Sequence, residues 1–169
     1  MSRRSRSVAC YRILLYADES GVIDIPRLQQ FLELSRKTLN KYVAKLAREG
    51  LVEKRGERVY LTSLGLKMVR TLRLIREGKT APRYVLTDPS TGNPIPMFFS
   101  NHLQLYALLA YNFVDEQLLE HHLRNYMEAW FRDLGDEFMV ELIKMGKIKS
   151  TDDLRNYLEK LLLVSRVLD

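Results

Sequence analysis

Residues 35–50 read Ser35-Arg36-Lys37-Thr38-Leu39-Asn40-Lys41-Tyr42-Val43-Ala44-Lys45-Leu46-Ala47-Arg48-Glu49-Gly50, and the rest of the chain takes its meaning from them. Leu39, Val43 and Leu46 recur at i, i+4 and i+7, so one face of a helix is apolar. Ser35 can cap its start, and Gly50 can close it in a left-handed turn. The opposite face carries Arg36, Lys37, Asn40, Lys41 and Lys45. A solvated helix face usually mixes both signs of charge. This one stays positive and amide-bearing until Glu49, which suits an anionic groove.

Working outward, Ser7 to Glu19 carries a broad apolar stripe (Val8, Tyr11, Ile13, Leu14, Leu15, Tyr16) and reads as a first helix ended by Gly21. Val22 to Ile25 is a short β-branched run, fit for one brief strand. Pro26 suits the first turn of a second helix to Leu32, which is expected to bury Leu28, Phe31 and Leu32. Glu33-Leu34 turns the chain into the helix that Ser35 opens. After Gly50, two β-prone runs flank the tip Lys54-Arg55-Gly56-Glu57-Arg58 and read as a hairpin. Thr62 or Ser63 then caps a helix running to about Glu77. Its Lys67, Arg70, Arg73 and Arg76 share one side, while Leu64, Met68, Leu72 and Ile75 share another.

Two short helices joined by a tight turn form a helix-turn-helix, whose second member enters the major groove. Residues 23–46 resemble the bihelical unit of winged-helix transcription regulators. The run from Glu49 to Gly65 is similar to the wing and following helix of MarR- and PadR-type regulators, and the resemblance covers residues 7–78. Such turns often place Gly where this chain has Glu33. A non-Gly residue at positive φ costs about 1 kcal/mol, so a slightly different turn is expected. The resemblance implies a recognition helix over 35–49 and a wing over 51–61. Arg36, Lys37, Thr38, Asn40 and Lys41 would then face base edges. Ser35, Lys45, Lys54, Arg55 and Arg58 would hold phosphate, with the wing tip on the backbone or minor groove. Arg3, Arg4 and Arg6 would form a minor-groove arm or a plain tail.

The expected organisation is mainly α with some β: a winged helix over 1–79, a Pro-rich linker or hairpin over 80–99, and a helical dimerisation or partner-binding region over 100–169. Asp88 to Pro94 is dense in turn residues, and Pro94 with Pro96 excludes a central strand. In the last region, Ser100 is expected to cap a helix to Phe113, apolar at Leu103, Tyr106, Ala107, Ala110 and Tyr111. Asp115 caps a second to Leu134, Asp136 starts a third to Met145, and Ser150 opens the last. There Leu154, Leu158, Leu161 and Leu168, with Leu162 and Val164, make more than one apolar stripe, from which a homodimer through this helix is expected.

Charge follows the same division. Residues 1–83 hold 19 Lys+Arg against 8 Asp+Glu, and residues 84–169 hold 8 against 13. The basic half is suited to double-stranded DNA and the acidic half to protein. No run of apolar residues is long enough to span a membrane, and no signal region follows the basic N-terminus, so a cytoplasmic location is expected. The lone Cys10 excludes an internal disulfide and a Cys-based zinc site within one chain.

His102, His121 and His122 do not have metal-ligand spacing, since adjacent helical residues point about 100° apart. Asp133, Asp136 and Glu137 surround a helix break and read as capping. No phosphate loop, nucleophile elbow or paired-acid arrangement occurs. No cofactor and no catalysis are expected. A small-molecule effector would need a pocket among Tyr106, Tyr111, Phe113, Tyr126, Trp130, Phe131 and Phe138, a set that reads better as core or interface. The expectation is therefore a sequence-specific DNA-binding regulator. Its rival is a winged helix used as a protein-interaction module in a transcription or replication complex.

Overall fold

The computed structural model describes residues 3–166, with side chains from Val8 onward. The expected arm of Arg3, Arg4 and Arg6 side chains, and Leu168, lie outside the described residues. The chain divides into two compact units, Met1–Arg70 and Thr71–Asp169.

The first unit runs α1 (Arg3–Arg12), a 3-10 turn (Ile13–Tyr16), β1 (Val22–Asp24), α2 (Ile25–Leu32), α3 (Arg36–Arg48), β2 (Val52–Arg55), β3 (Arg58–Leu61) and the start of α4 (Ser63–Arg76). The strands form an antiparallel sheet in the order β1-β3-β2, with Ile23 opposite Val59 and Lys54 opposite Val59. Together these elements are a winged helix-turn-helix.

Local chemistry sets each boundary. The Asp24 side chain accepts from the Arg27 amide, and Pro26 follows in the first turn of α2. Ser35 caps α3 by accepting from the Thr38 amide at 3.2 Å. At its other end Gly50 takes φ 73°, and the Leu51 amide returns to the Leu46 carbonyl at 3.0 Å. Glu33 adopts φ 52°, so the turn keeps the left-handed geometry despite lacking Gly. The altered turn expected from the sequence does not occur, because a cost near 1 kcal/mol is small beside α3 burial.

The first helix is shorter than expected and tightens into the 3-10 turn at Ile13. Phe31 is another correction: it is 72% exposed, its ring edge-on to Tyr16 at 5.7 Å. Packing covers the arc of α2 centred on Ile25 and Leu28, and Phe31 falls about 60° outside Leu28.

The second unit contains the end of α4, the hairpin β4 (Tyr84–Thr87) and β5 (Pro94–Phe99), then α5 (His102–Ala110), α6 (Glu116–Asn125), α7 (Met127–Leu134), α8 (Glu137–Lys144) and α9 (Thr151–Ser165). The sequence places a boundary at 79, where the helix pattern stops. The compact units part within α4, where Thr71, Leu72 and Ile75 are buried and the Thr71 hydroxyl donates to Asp136 Oδ1 at 2.6 Å. The hairpin is a two-stranded sheet, and its inner aromatics pack as a cluster. Tyr84 stacks on Phe99 at 4.8 Å, and Trp130 meets Phe99 edge-on at 4.7 Å.

Helix capping departs from expectation at two points. Asn101, not Ser100, caps α5 through the Gln104 amide, while the Ser100 amide and hydroxyl donate to the Gln104 side chain. The single helix expected from Asp115 to Leu134 breaks at Tyr126, whose φ of −137° is not helical. In α9, Leu154, Leu158, Leu161, Leu162, Leu163 and Val164 are all buried within the unit, against α5 and α6. The apolar stripe expected to face outward is absent, so the case for a dimer through α9 loses its premise.

Gly65 is required by a close approach rather than by its dihedral angles. A Cβ there would lie 2.0 Å from the Leu51 carbonyl oxygen. That oxygen accepts from the Thr62 amide, and the Thr62 hydroxyl both donates to Gly50 and accepts from the Gly65 amide. Gly65→Ala is therefore expected to destabilise the first unit by about 1–3 kcal/mol or more. Urea unfolding of the full chain checks it, and an unchanged midpoint would contradict the packing described.

Candidate nucleic-acid interface

The apolar seam of α3 fixes which of its side chains meet solvent. Leu39, Val43 and Leu46 are 0%, 4% and 0% exposed, facing α1, α2 and β2. At about 100° per residue, the remaining arc carries Arg36, Lys37, Asn40, Lys41, Ala44, Ala47 and Arg48, all exposed. The two alanines leave room for a surface to approach the backbone between the long basic side chains. Arg48 was missed in the sequence reading, although it lies seven residues after Lys41 and so on the same row.

Two residues assigned to this face sit elsewhere. Lys45 is half-buried, its ammonium 4.9 Å over the Tyr11 ring, on the side of α3 that packs on α1. The Tyr11 hydroxyl donates to Glu49 at 2.7 Å, so Lys45 and Glu49 both bind α3 to α1. Cys10 lies in the same joint, 3% exposed, its thiol pushed above the usual value by burial. Thr38 is also half-buried, its hydroxyl 2.9 Å from that of Ser35. These two hydroxyls complete the helix start, and Ser35 itself remains exposed.

The wing presents Lys54, Arg55 and Arg58, all exposed. Gly56, at φ 62°, is the first residue of its two-residue turn. Arg55 and Arg58 stand directly opposite each other across the strands. Like charges so placed weaken a hairpin unless an anion lies between them. Arg55 is steadied by Glu53 at 2.9 Å, which raises its pKa through the hydrogen bond and then its charge, and by the Tyr60 ring at 5.2 Å.

An ion pair joins α3 to the wing. Arg36 Nη2 donates to Glu57 Oε1 at 2.8 Å, with the side chains 44% and 72% exposed. An exposed pair contributes about 0–1 kcal/mol to stability. A guanine edge or a phosphate can displace it at little cost. Glu57 thus competes for the same guanidinium that a nucleic acid would use.

Two of the histidines, His102 and His122, are built into the packing of the second unit. His102 Nε2 is 2.7 Å from Asp136 Oδ2, and both are buried. His122 is buried between the Tyr84 hydroxyl, at 2.6 Å, and the backbone of Thr87. Among the described residues no group of three or more His, Cys, Asp or Glu could hold a metal ion. The aromatic set considered for an effector does not line one pocket. Trp130, Phe131 and Phe138 are core, whereas Tyr111, Phe113 and Tyr126 are exposed.

Residues 3–80, a little under half of the chain, match the winged helix-turn-helix family. The match is to that family as a whole and singles out neither the MarR nor the PadR type. Comparison with curated proteins and with solved structures gives no match. No helix among the described residues is long and apolar enough to cross a membrane.

Glu57→Gln frees Arg36 and is expected to raise the salt needed to elute the protein from immobilised heparin. Glu19→Gln, an equal change of charge at another exposed position, gives the baseline shift. The Glu57 variant should exceed it while losing less than about 1 kcal/mol of stability. Equal shifts would contradict a Glu57 restraint on the basic face.

Proposed function

We propose that the chain is a double-stranded DNA-binding transcription regulator, with α3 in the major groove and the β2–β3 wing on the backbone or minor groove. The observation that carries it is the unbroken exposed row Arg36, Lys37, Asn40, Lys41 and Arg48, held outward by a fully buried apolar seam. Arg and Lys suit guanine, and Asn suits adenine in a bidentate contact. Ser35, Lys54, Arg55, Arg58 and Arg48 hold phosphates, which set register but not sequence. Lys45 acts through α1 rather than on DNA. The net +11 of residues 1–83 supports the same reading, and the resemblance to MarR- and PadR-type regulators supplies the regulatory role.

One observation favours the rival, a protein-interaction module. The Tyr16–Phe31 pair borders a shallow groove of about 420 Å³ lined also by Asp18, Val22, Asp24 and Arg27. This groove, part apolar and part charged, lies between the 3-10 turn, β1 and α2, and Phe31→Ser should leave DNA affinity unchanged.

Binding to random duplex DNA across a salt series tests the proposal. Log K is expected to fall with log[salt] at about −0.9 per phosphate neutralised, roughly −4 to −8 for a dimer. Absence of binding at low salt would remove the DNA reading and leave the interaction module. Asn40→Ala should relax base preference at one position by about 1–3 kcal/mol, whereas Arg48→Ala should weaken all sequences alike and flatten the slope by about one unit. Identical behaviour of the two variants would overturn the division of roles.

A further inference from the structure

Burial sets the rotation of α4 as it does that of α3. Met68, Thr71, Leu72 and Ile75 are buried. From residue 70 to residue 76 the exposed side chains are Arg70, Arg73 and Arg76 and nothing else. Three residues apart, at about 1.5 Å per residue, they set three guanidiniums along about 9 Å of helix. Lys67, which the sequence places in the same row, is half-buried.

These arginines differ from those of the later helices. Arg124 pairs with Glu120 at 2.9 Å, and Arg132 with Glu128 and Arg155 with Asp152 at 2.6 Å. Glu77 stands four residues after Arg73, within reach of such a pair. Among the described residues no ion pair involves Glu77 or any of the three arginines. The helix dipole favours cations in the last turn, where Arg73 and Arg76 lie, but it does not account for Arg70 before them.

Composition says what the row can hold. The centre of a protein interface carries aromatic or apolar side chains, and no exposed one occurs between Arg70 and Arg76. Nor does an exposed amide or hydroxyl that would share in reading a base edge. A ladder of guanidiniums suits the repeated anions of a phosphate backbone, which arginine grips through two parallel hydrogen bonds. Such contacts are the same for every sequence.

We propose that Arg70, Arg73 and Arg76 of α4 form a second phosphate-binding surface, which grips duplex DNA without reading its sequence. This rests on the DNA reading for its ligand.

Binding of the full chain to two duplexes of unrelated sequence, across a salt series, tests it. Arg70→Gln with Arg73→Gln should flatten the slope of log K against log[salt] by about 2 and weaken both duplexes by the same factor. Thermal unfolding should be unchanged, since both side chains are exposed. Arg70→Lys with Arg73→Lys should restore the slope, because an ammonium also neutralises a phosphate. Lys144→Gln with Lys147→Gln removes the same charge at exposed positions of the second unit and should leave the slope as in the wild type. If the glutamine variant of α4 keeps the wild-type slope while Lys37→Gln flattens it, this surface is overturned. The α3 reading then stands, and the row is left to an acidic protein. Losses that differ between the two duplexes would make α4 a base reader and overturn the proposal as well. Failure of the wild type to bind either duplex removes both readings.

Discussion

The burial of Leu39, Val43 and Leu46 is the constraint on which the first unit depends. Each fully buried side chain contributes about 1.5–3 kcal/mol relative to exposure, far more than the ion pairs around it. That seam fixes the rotation of α3 about its own axis. With rotation fixed, the basic and amide side chains have only one direction to face. The left-handed Glu33, the Ser35 cap and the Gly65 approach all serve the same end, since each holds a neighbour of α3 where the seam needs it. The basic face is thus a by-product of packing in geometry, and a product of composition only in charge.

The second unit is organised differently, around a buried polar node. Asp136 is fully buried and accepts from the Thr71 hydroxyl, the Met139 amide and His102. One carboxylate thereby joins the end of α4, the start of α5 and the start of α8. Removing one partner from such a node is costly because the others are left unpaired in a dry interior. The three groups are far apart in sequence, so their meeting is a property of the fold alone.

What the sequence made legible follows from how local each signal is. The seam, the Ser35 cap, the Gly50 closure and the hairpin tip are decided within a few residues, and the structure reproduces each. Errors occur where an element offers two answers. In α5, Leu103–Ala107–Tyr111 and Leu105–Leu108–Leu109 are equally apolar, and only the tertiary arrangement chooses which is buried. In α9 a surplus of leucines looked like an exposed stripe, but α5 and α6 cover it from two directions. Phe31 was read inward on hydrophobicity alone, although the short α2 has too little partner surface to cover it. Lys45 shares its helix edge with Lys41, and only the position of Tyr11 draws its ammonium away from the basic row.

The central claim is that DNA meets the face of α3 opposite its buried seam. Backbone amide chemical shifts of the full chain, followed as a short random duplex is added at low salt, test it most directly. The account predicts shifts concentrated over residues 35–48 and 53–58, with the amides of α5 to α9 largely unmoved. Shifts concentrated in the acidic unit, or on the Tyr16–Phe31 side of α2 with α3 unaffected, would contradict it.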